Sequence, residues 1–302
     1  MRTHPYLPTM SPNTRCGDIA LAGRPNVGKS SLLNTIVGEH LALVSSRAQA
    51  TRLPVVGIHS TDDTQYVFHD LPGLLDPAYL MHTRMLAAAH DIIRQVDVIL
   101  YLVPASDGVA MPFADSVPLD PPSRGTVLTV YTKGDLVSQE ERDRLGETGL
   151  VVSSKEGWGL EALLAEVRTH LPEGPFRYDP DELGTQPLRF FATEYVREAA
   201  FEVLEQELPY ALTAVVEEFR ENEEPMYIRV TIIVERDSQK GIVIGKGGRT
   251  IKRVGSLARA RLEQLTGAPV YLDLWVKVLK NWRKSPIALT RLGFPPSDKE
   301  TA

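Results

Sequence analysis

Residues 23–30 of the sequence, GRPNVGKS, carry the pattern of a phosphate-binding loop. The glycines would let backbone N–H groups turn toward phosphate oxygens, while Lys29 would reach the terminal phosphates and the Ser30 hydroxyl would ligate Mg²⁺. An apolar run at residues 19–22 precedes the loop and a helical pattern follows it, so a helix N-terminus would add its favourable dipole. The residues assigned to the phosphate site are Gly23, Arg24, Pro25, Asn26, Val27, Gly28, Lys29, Ser30 and Ser31.

A second motif, D-x-x-G, occupies residues 70–73 at the end of the apolar run 65–69. Asp70 would hold Mg²⁺ through water, and the N–H of Gly73 would sense the terminal phosphate. Leu71 and Pro72 lie between them in the motif. Such a tetrapeptide by itself is also compatible with an ordinary turn, so its weight comes from its position downstream of the phosphate-binding loop.

A third motif, T-K-x-D, points to selection of a base. Asp135 would accept hydrogen bonds from the ring N–H and the amino group of guanine, a pair of donors that adenine does not offer. Residues 153–155, SSK, suit a base-contacting loop, although an ordinary polar turn is an equal alternative. The residues assigned to the base site are Thr132, Lys133, Gly134, Asp135, Ser153, Ser154 and Lys155.

Short apolar runs alternate with helical patterns through the first 170 residues. This alternation predicts an α/β fold with a doubly wound, mostly parallel sheet, whose ligands bind at the carboxyl ends of the strands. The motifs follow apolar runs directly, so we expect them to meet at that edge. The predicted strands are residues 19–22, 54–59, 65–69, 98–103, 127–131 and 150–152, and the predicted helices start near Lys29, Tyr79, Ser138 and Gly159.

The composition is that of an ordinary globular protein, with 302 residues of which 43% are hydrophobic and 24% charged. The longest apolar run, residues 97–105, is too short to cross a bilayer, which takes about 20 residues. The single cysteine, Cys16, excludes an internal disulfide framework. The predicted domains are a flexible leader at 1–15, a nucleotide-binding domain at 16–171, a proline-rich linker at 172–187, and a second domain at 188–302 that ends in a basic tail.

The second domain has a different pattern of elements. It reads as a helix at 188–206, strands at 212–219 and 227–235, a glycine-rich turn, a helix at 249–265 and a strand at Val270–Val278. Residues 245–248, GKGG, place a G-x-x-G loop at the start of the second helix, a loop type that clamps a nucleic-acid backbone.

Positive charge is concentrated in this second domain. Between Lys240 and Arg291 the sequence has 12 Lys and Arg residues against two acidic residues, although the net charge of the whole chain is −6. This asymmetry indicates a surface for a polyanion, with a merely solvated charged face as the alternative.

The order of the nucleotide motifs resembles that of the translation-factor-related GTPases. Three further segments, residues 235–241 (ERDSQKG), the G-x-x-G loop and residues 272–278 (LDLWVKV), resemble the Era family of bacterial GTPases. The resemblance extends from about Asp18 to Phe294. It implies an α/β P-loop GTPase domain followed by an α+β type II KH domain.

The resemblance also implies roles at the nucleotide site. Thr51, in the segment 46–52 (SRAQATR), would complete the metal set of Ser30, Thr51 and Asp70, with GTP or GDP and Mg²⁺ as the bound groups. The catalytic residues would be Lys29, Thr51 and Gly73. Leu74 stands where Ras-like enzymes have a water-orienting glutamine, so intrinsic hydrolysis should be slow. Asn26 matches a position that holds K⁺ in relatives.

By the same resemblance, the protein would bind the 3′ end of small-subunit ribosomal RNA and assist assembly of the small ribosomal subunit. It would be a cytoplasmic monomer, with peripheral association at the inner membrane face as a further expectation. The residues assigned to RNA are Lys240, Gly245, Lys246, Gly247, Gly248, Arg249, Lys252, Arg253, Lys280, Trp282, Arg283 and Lys284.

Two other functions are compatible with part of the sequence. A metabolic P-loop kinase would share the phosphate-binding loop, but Asp135 and the basic second domain argue against it. An RNA-binding KH protein with a weak or vestigial GTPase site would bind RNA equally with GTP, with GDP and without nucleotide. Intact Lys29, Ser30, Thr51 and Asp70 oppose that alternative.

Overall fold

The computed structural model describes residues 14–45, 50–297 and 300, which form two compact units. The first unit comprises the described residues of 1–39, 55–71 and 90–185. The second comprises those of 40–54, 72–89 and 186–302. Two segments from the N-terminal half of the chain therefore belong to the same unit as the C-terminal residues. Most of the predicted leader lies outside the described residues.

The first unit contains a six-stranded sheet in the order β2-β3-β1-β4-β5-β6. All neighbouring strands are parallel except β2 and β3, so the predicted mostly parallel α/β fold is confirmed. Its elements are β1 (Arg15–Ala22), α1 (Lys29–Val37), β2 (Val55–Ser60), β3 (Thr64–Asp70), α2 (Leu80–Gln95, whose first half belongs to the second unit), β4 (Val98–Pro104), α3 (Phe113–Ser116), β5 (Thr126–Thr132), α4 (Gln139–Gly146), β6 (Leu150–Val151) and α5 (Leu160–His170).

The central strands β1 and β4 each contain an apolar run, because helices cover both faces of a parallel sheet. Residues 19–22 and 98–100 are fully buried. Helix α1 can approach the sheet closely at Gly57, where a Cβ atom would lie 2.6 Å from Leu33 Cδ1. This close packing holds the middle and the end of α1, the helix that follows the phosphate-binding loop, against β2.

Strand β1 begins four residues before the predicted start. Arg15, assigned to the leader from the sequence, pairs with Thr64 in the parallel register of β1 and β3. The sequence does not reveal this extension, residues 15–18, because the segment is not apolar throughout. Its polar member Asp18 is satisfied locally, since its carboxylate accepts hydrogen bonds from His69 at 2.8 Å and from Arg177 at 2.7 Å.

The segment predicted as a linker makes backbone contacts along the first unit. Cys16 N–H donates to the carbonyl of Pro172 at 3.2 Å, and Ile58 N–H donates to that of Leu183 at 2.8 Å. The side-chain amide of Gln65 donates to the carbonyl of Tyr178 at 3.0 Å. Residues 172–185 are thus attached to the first unit by hydrogen bonds from β1, β2 and β3.

The second unit has a three-stranded sheet in the order β7-β8-β9, antiparallel between β7 and β8 and parallel between β8 and β9. Apolar side chains of α9 and β8 are buried between the helices and the sheet, among them Val254, Ala258, Ile228 and Val230. The elements are α6 (Leu188–Val203), α7 (Leu208–Ala211), β7 (Thr213–Arg220), β8 (Met226–Val234), α8 (Asp237–Ile244), α9 (Arg249–Thr266), β9 (Val270–Val278) and α10 (Pro286–Arg291).

Helix α8 corrects the predicted glycine-rich turn, because most of the residues before the G-x-x-G loop are helical. The Gln239 side chain accepts hydrogen bonds from the backbone N–H groups of Glu235 at 2.9 Å and Arg236 at 3.1 Å, which caps the helix start. A Cβ atom at Gly241 would meet nothing within 4 Å, so this glycine is not required by packing. The α-β-β-α-α-β order of a type II KH domain results.

An apolar cluster joins the early segments of the second unit to its C-terminal residues. Met81 and Met85 of α2 pack with Ile233, Trp282 and Leu289, all of them buried. Further members of the cluster are Ala288 and Phe294. This half of α2 is therefore part of the core of the second unit.

Buried arginines reinforce the same connections by binding backbone carbonyls. Arg52 donates to the carbonyls of Leu212 at 2.6 Å and Tyr210 at 3.1 Å, and Arg197 donates to that of Ala50 at 2.8 Å. Arg84 on α2 donates to the carbonyl of Phe294 at 2.9 Å. A buried guanidinium is costly without hydrogen-bond partners. Residues 50–52 and 84 are therefore held where these arginine-to-carbonyl bonds can form.

Among the described residues, none of the helices is long and apolar enough to cross a membrane.

Candidate functional site

The phosphate-binding loop adopts the glycine-dependent conformation that its motif predicts. Gly23 has φ of 152°, and a Cβ there would approach the carbonyl oxygen of Leu102 at 2.5 Å. Gly28, directly before α1, has φ of 99°, and Asn26 has φ of 62°. Only glycine adopts the first two conformations without strain. The loop therefore turns tightly from β1 into the N-terminus of α1, where backbone N–H groups are available to an anion.

Lys29 lies buried beneath this loop, 6% exposed, at the first position of α1. Its ammonium donates to the carbonyls of Arg24 at 2.9 Å and Gly23 at 3.2 Å. Burial lowers the pKa of Lys29 to about 8, and the nearby Asp70 carboxylate opposes this shift. The amine is thus held at the loop in a position from which it can exchange carbonyl partners for phosphate oxygens.

Two oxygen-bearing side chains meet beside Lys29. The Ser30 hydroxyl donates to Asp70 Oδ2 at 2.7 Å. Asp70 is fully buried as the last residue of β3, where it lies level with Leu21 of β1 in the parallel register. A hydroxyl and a carboxylate are hard oxygen ligands of the kind that Mg²⁺ prefers, so the donor set fits this ion.

The T-K-x-D motif is bonded directly to the phosphate-binding loop. The Thr132 hydroxyl donates to the carbonyl of Val27 at 2.5 Å, and Lys133 Nζ donates to that of Asn26 at 2.7 Å. These bonds fix the spacing between the phosphate site and the base site.

The Asp135 carboxylate is oriented by the following loop. Ser153 Oγ donates to Asp135 Oδ1 at 2.7 Å and accepts from the N–H of Glu156 at 3.1 Å. Thr35 of α1 donates to the carbonyl of Ser154 at 3.3 Å, which ties this loop to the helix of the phosphate site. Ser153 therefore has a positioning role, whereas the exposed Lys155 is ion-paired at 3.4 Å to Glu156.

Trp158 supports the base-site loop and was not found from the sequence. It forms an isolated bridge with Ser153, and a Cβ at Gly134 would lie 2.6 Å from Trp158 Cη2. The only available sequence signal was its place between Gly157 and Gly159, both of which have positive φ.

The structure brings together the phosphate-binding loop, Asp70, residues 132–135 and residues 153–155 in the first unit. Leu71 is buried at the end of that unit's second segment. Thr51, Pro72, Gly73 and Leu74 belong to the second unit, and their roles at the nucleotide stay predictions. Residues 46–49 of the predicted switch segment lie outside the described residues.

The G-x-x-G loop in the second unit has one structural glycine and two open ones. A Cβ at Gly245 would collide with the Thr250 side chain, whereas Cβ atoms at Gly247 and Gly248 would meet nothing within 4 Å. All three residues have positive φ. The open glycines and the exposed Lys246 leave the backbone accessible at the start of α9.

A groove of about 430 Å³ lies between α9 and β9. Arg249, Lys252 and Arg253 are exposed at the beginning of α9, and Lys280 and Lys284 are exposed beyond β9. Lys240 is half-buried on α8. The groove-lining residues that sequence analysis missed are Gly255, Ser256, Arg259 and Tyr271. The sequence signal for this groove is Gly255 within the helical pattern of α9. A Cβ atom there would lie 3.3 Å from Leu274 of β9.

The prediction that Trp282 contacts RNA is wrong. Trp282 is 0% exposed, its indole N–H donates to the carbonyl of Ala211 at 3.1 Å, and its ring lies 6.4 Å from that of Phe294. A 3₁₀ turn at Trp282–Lys284 buries the indole while exposing Lys284. Arg283 is ion-paired with Glu235, which restrains its guanidinium.

Comparison with known proteins gives consistent results for both units. A KH domain family model matches residues 207–283, and a family model described as 50S ribosome-binding GTPase matches residues 18–118. The curated GTPase Era of Leuconostoc citreum (strain KM20) is 39% identical over 293 residues, which cover 93% of this chain and 96% of that protein.

Two solved structures are similar over nearly the whole chain. A variant of Aquifex aeolicus Era bound to GDP·AlF4⁻ has a TM-score of 0.87 and 30% identity. A structure of Era in complex with MgGDPNP and nucleotides 1506–1542 of 16S ribosomal RNA has a TM-score of 0.88 and 31% identity. Each covers 94% of this chain and 100% of the other.

Proposed function

This chain belongs to the Era family of GTPases, and from that premise we propose that its GTP hydrolysis controls binding to the 3′ end of small-subunit ribosomal RNA during assembly of the small ribosomal subunit. The observation that carries the RNA part is the pair of open glycines, Gly247 and Gly248, at the start of a basic helix beside a groove. The similar Era structure that contains nucleotides 1506–1542 of 16S ribosomal RNA supports the choice of RNA.

The nucleotide site acts through positioned charge. Protonated Lys29 exchanges the carbonyls of Gly23 and Arg24 for phosphate oxygens, while backbone N–H groups at the start of α1 bind the same phosphates. Ser30 and Asp70 would supply oxygen atoms to the Mg²⁺ site. When bound, Mg²⁺ neutralises charge that develops on the phosphates.

Guanine selection rests on Asp135. Its carboxylate accepts from the ring N–H and the amino group of guanine, while the Ser153 hydroxyl keeps it correctly oriented. Adenine would leave this acceptor without its donors, and an unpaired charged group in a site is costly. Asp135 thereby makes the site specific for guanine nucleotides.

Hydrolysis is slow in the isolated protein because Leu74 offers no hydrogen bond to the attacking water. Asn26 in the phosphate-binding loop helps hold K⁺, so K⁺ accelerates hydrolysis relative to Na⁺. Loss of the terminal phosphate releases Thr51 and Gly73. The release of these two residues changes RNA binding by the KH domain.

RNA binds with its backbone on the G-x-x-G loop and its bases in the groove between α9 and β9. Lys246, Arg249 and Lys252 neutralise phosphates at the loop and on the first turns of α9. Farther along, Lys280 and Lys284 extend the positive surface. The protein acts as a cytoplasmic monomer whose contact with the inner membrane face is peripheral, and cell fractionation with sedimentation analysis tests that part.

The decisive experiment is a titration of labelled RNA carrying the 3′ end of small-subunit ribosomal RNA. The wild type is measured with a GTP analogue, with GDP and without nucleotide, beside Lys246→Ala and a control at an exposed arginine of the first unit, Arg124→Ala. Nucleotide-dependent affinity that falls in Lys246→Ala supports the proposal. Equal affinity in all three nucleotide states would instead indicate an RNA-binding KH protein whose GTPase site is vestigial.

A further inference from the structure

The outer face of the second unit's sheet carries exposed aromatic side chains. Successive side chains of a strand alternate between faces, and Ile228, Val230 and Ile232 of β8 point into the core. The intervening residues of β8 and β9 form the other face, which is covered at Ile233 by the cluster of Met81, Met85 and Trp282. There Tyr271 is 58% exposed and Trp275 is 59% exposed. These side chains are large for the surface of a folded domain, so they require an explanation.

A hydrogen-bond network holds the aromatic side chains in place. Asp273 Oδ2 accepts from Tyr227 Oη, Arg229 Nε and Trp275 Nε1, each at 3.0 Å. The rings of Tyr227 and Tyr271 are stacked with centroids 5.7 Å apart. Because the Trp275 N–H is already bonded within this face, the indole is preoriented and little side-chain entropy remains to be lost on binding.

The charges around Trp275 favour an anionic partner. Arg229 is ion-paired with both Asp273 at 3.0 Å and Glu218 at 3.2 Å, so these carboxylates are compensated. Lys277 lies two residues beyond Trp275 on the same face of β9 and is exposed. Within residues 14–45, 50–297 and 300, Lys277 forms no ion pair. An exposed indole beside an ammonium suits a stacked base and its phosphate.

The acidic turn between β7 and β8 limits where such a partner can lie. Glu221, Glu223 and Glu224 precede the start of β8, and β9 runs parallel to β8. Lys277 therefore lies at the opposite end of the sheet from these acids. A polyanion on this face would be repelled at one end and attracted at the other.

Strand β9 connects this face to the KH groove. It is an edge strand, and Leu272 and Leu274 line the groove while Trp275 points to the outer face. Tyr271 also borders the groove, about 13 Å along the strand from Trp275 at 3.3 Å per residue. A single strand leaving the groove can thus pass over the free edge of β9 without crossing another strand.

We propose that Tyr271, Trp275 and Lys277 form a stacking platform that continues the RNA site from the groove onto the outer face of the sheet. This platform rests on the proposed RNA-binding function. It takes single-stranded nucleotides that flank those in the groove, with bases on the two rings and a phosphate at Lys277.

The test compares two labelled RNAs with the sequence of the small-subunit ribosomal RNA 3′ end. One has about four nucleotides, the number that a KH G-x-x-G loop clamps, and the other extends it at both ends. Trp275→Ala should lower the affinity for the long RNA by about 5-fold to 150-fold, the range for one stacked base, and leave the affinity for the short RNA unchanged. Met111→Ala, which removes an exposed apolar side chain from the first unit, is the matched control.

A second variant separates stacking from folding. Trp275→Phe keeps a ring and should retain most of the long-RNA affinity. The long RNA should quench wild-type tryptophan fluorescence, and Trp275→Phe should lose this quenching because Trp282 is buried and Trp158 packs against the base-site loop of the first unit. Lys277→Ala should lower the salt slope of long-RNA binding by about 0.7, the value for one single-strand phosphate contact.

The outcomes are distinguishable. Unchanged affinity of Trp275→Ala for the long RNA overturns the platform while leaving the KH groove intact. If that variant also loses a crosslink to a ribosomal protein, the face belongs to a protein partner and the platform is again overturned. Failure of the wild type to bind either RNA overturns both the platform and the proposed function.

Discussion

Lys29 links the protonation state of one buried amine to nucleotide binding. Its pKa in the unliganded protein is about 8, lowered from 10.5 by burial. Phosphate requires the charged form, so GTP affinity should be nearly constant below pH 7 and fall about tenfold between pH 7 and pH 9. Calorimetric titration from pH 7 to pH 9 measures this effect. In Lys29→Arg the residual affinity should not follow this profile, because arginine does not titrate in this range; a flat wild-type profile would contradict the assignment.

Asp135 determines which base is accepted. Asp135→Asn should weaken GTP binding on the order of 10²- to 10⁴-fold, because two bonds to a charged acceptor are lost, and should improve xanthosine triphosphate binding. Competition binding with the two nucleotides measures the change. Ser153→Ala is the matched control: it keeps the carboxylate but removes its 2.7 Å bond, so affinity should fall less and guanine should still be preferred. Unaltered GTP affinity in Asp135→Asn would remove this residue from the base site.

Residues with a local chemical signature were predictable, and residues defined by distant partners were not. Lys29, Ser30 and Asp135 stand in motifs whose spacing specifies their geometry. Trp282 was assigned to RNA because its neighbours are basic, but its burial depends on Ala211, which is far away in sequence. An aromatic residue in a basic stretch carries no local mark of which side it faces.

The glycines of the G-x-x-G loop, which leads into α9, should differ in what their substitution mainly changes: RNA affinity at Gly247 and stability at Gly245. Gly247→Asp places a carboxylate in open space where RNA phosphates are expected, so RNA affinity should fall more than tenfold while GTP affinity stays unchanged. The melting temperature should fall by the strain of a side chain at φ 61°, which costs about 1 kcal/mol. Gly245→Ala should destabilise the second unit because its Cβ collides with Thr250. Filter binding and thermal unfolding distinguish the two. Wild-type RNA binding by Gly247→Asp would show that the loop is only a structural turn.

Elements with a regular period were predicted well, whereas their ends and glycine-containing segments were not. Alternating residues marked β8 and β9, and β9 has the predicted bounds. Helix α8 was missed because Gly241 and Gly245 suggested a turn, although the Gln239 side chain caps a helix there. The start of β1 was missed because its pairing with Thr64 of β3 is a tertiary interaction.

At the scale of the whole molecule, the second unit depends on residues from the first third of the chain. A fragment of residues 186–302 would lack Met81 and Met85, whose loss from a core costs about 2–5 kcal/mol each. This approaches the total stability of a domain, about 5–15 kcal/mol. The fragment should therefore lose cooperative thermal unfolding. The loss of unfolding free energy in Met85→Ala, measured in the full chain, shows how much one of these side chains contributes. A fragment that melts like the full chain would contradict the unit boundaries.

The sequence predicted a simple boundary at 172–187 because prolines interrupt the regular patterns there. The units found in the structure are discontinuous instead, since residues 40–54 and 72–89 cluster with the C-terminal part. Their partners, such as the carbonyls that bind Arg52, are backbone groups without a sequence signature. Such a grouping could not be predicted from local composition.

The discontinuity also affects how the chain can be divided into pieces. Residues pass from one unit to the other at five points, the last of them between 185 and 186. A protein cut there would keep residues 40–54 and 72–89 on its N-terminal piece, although both segments complete the core of the second unit. The two pieces are therefore complementing halves rather than independent modules. When they are co-expressed they can reassemble into a split GTPase, and its GTPase activity and RNA binding measure how much protein has reassembled.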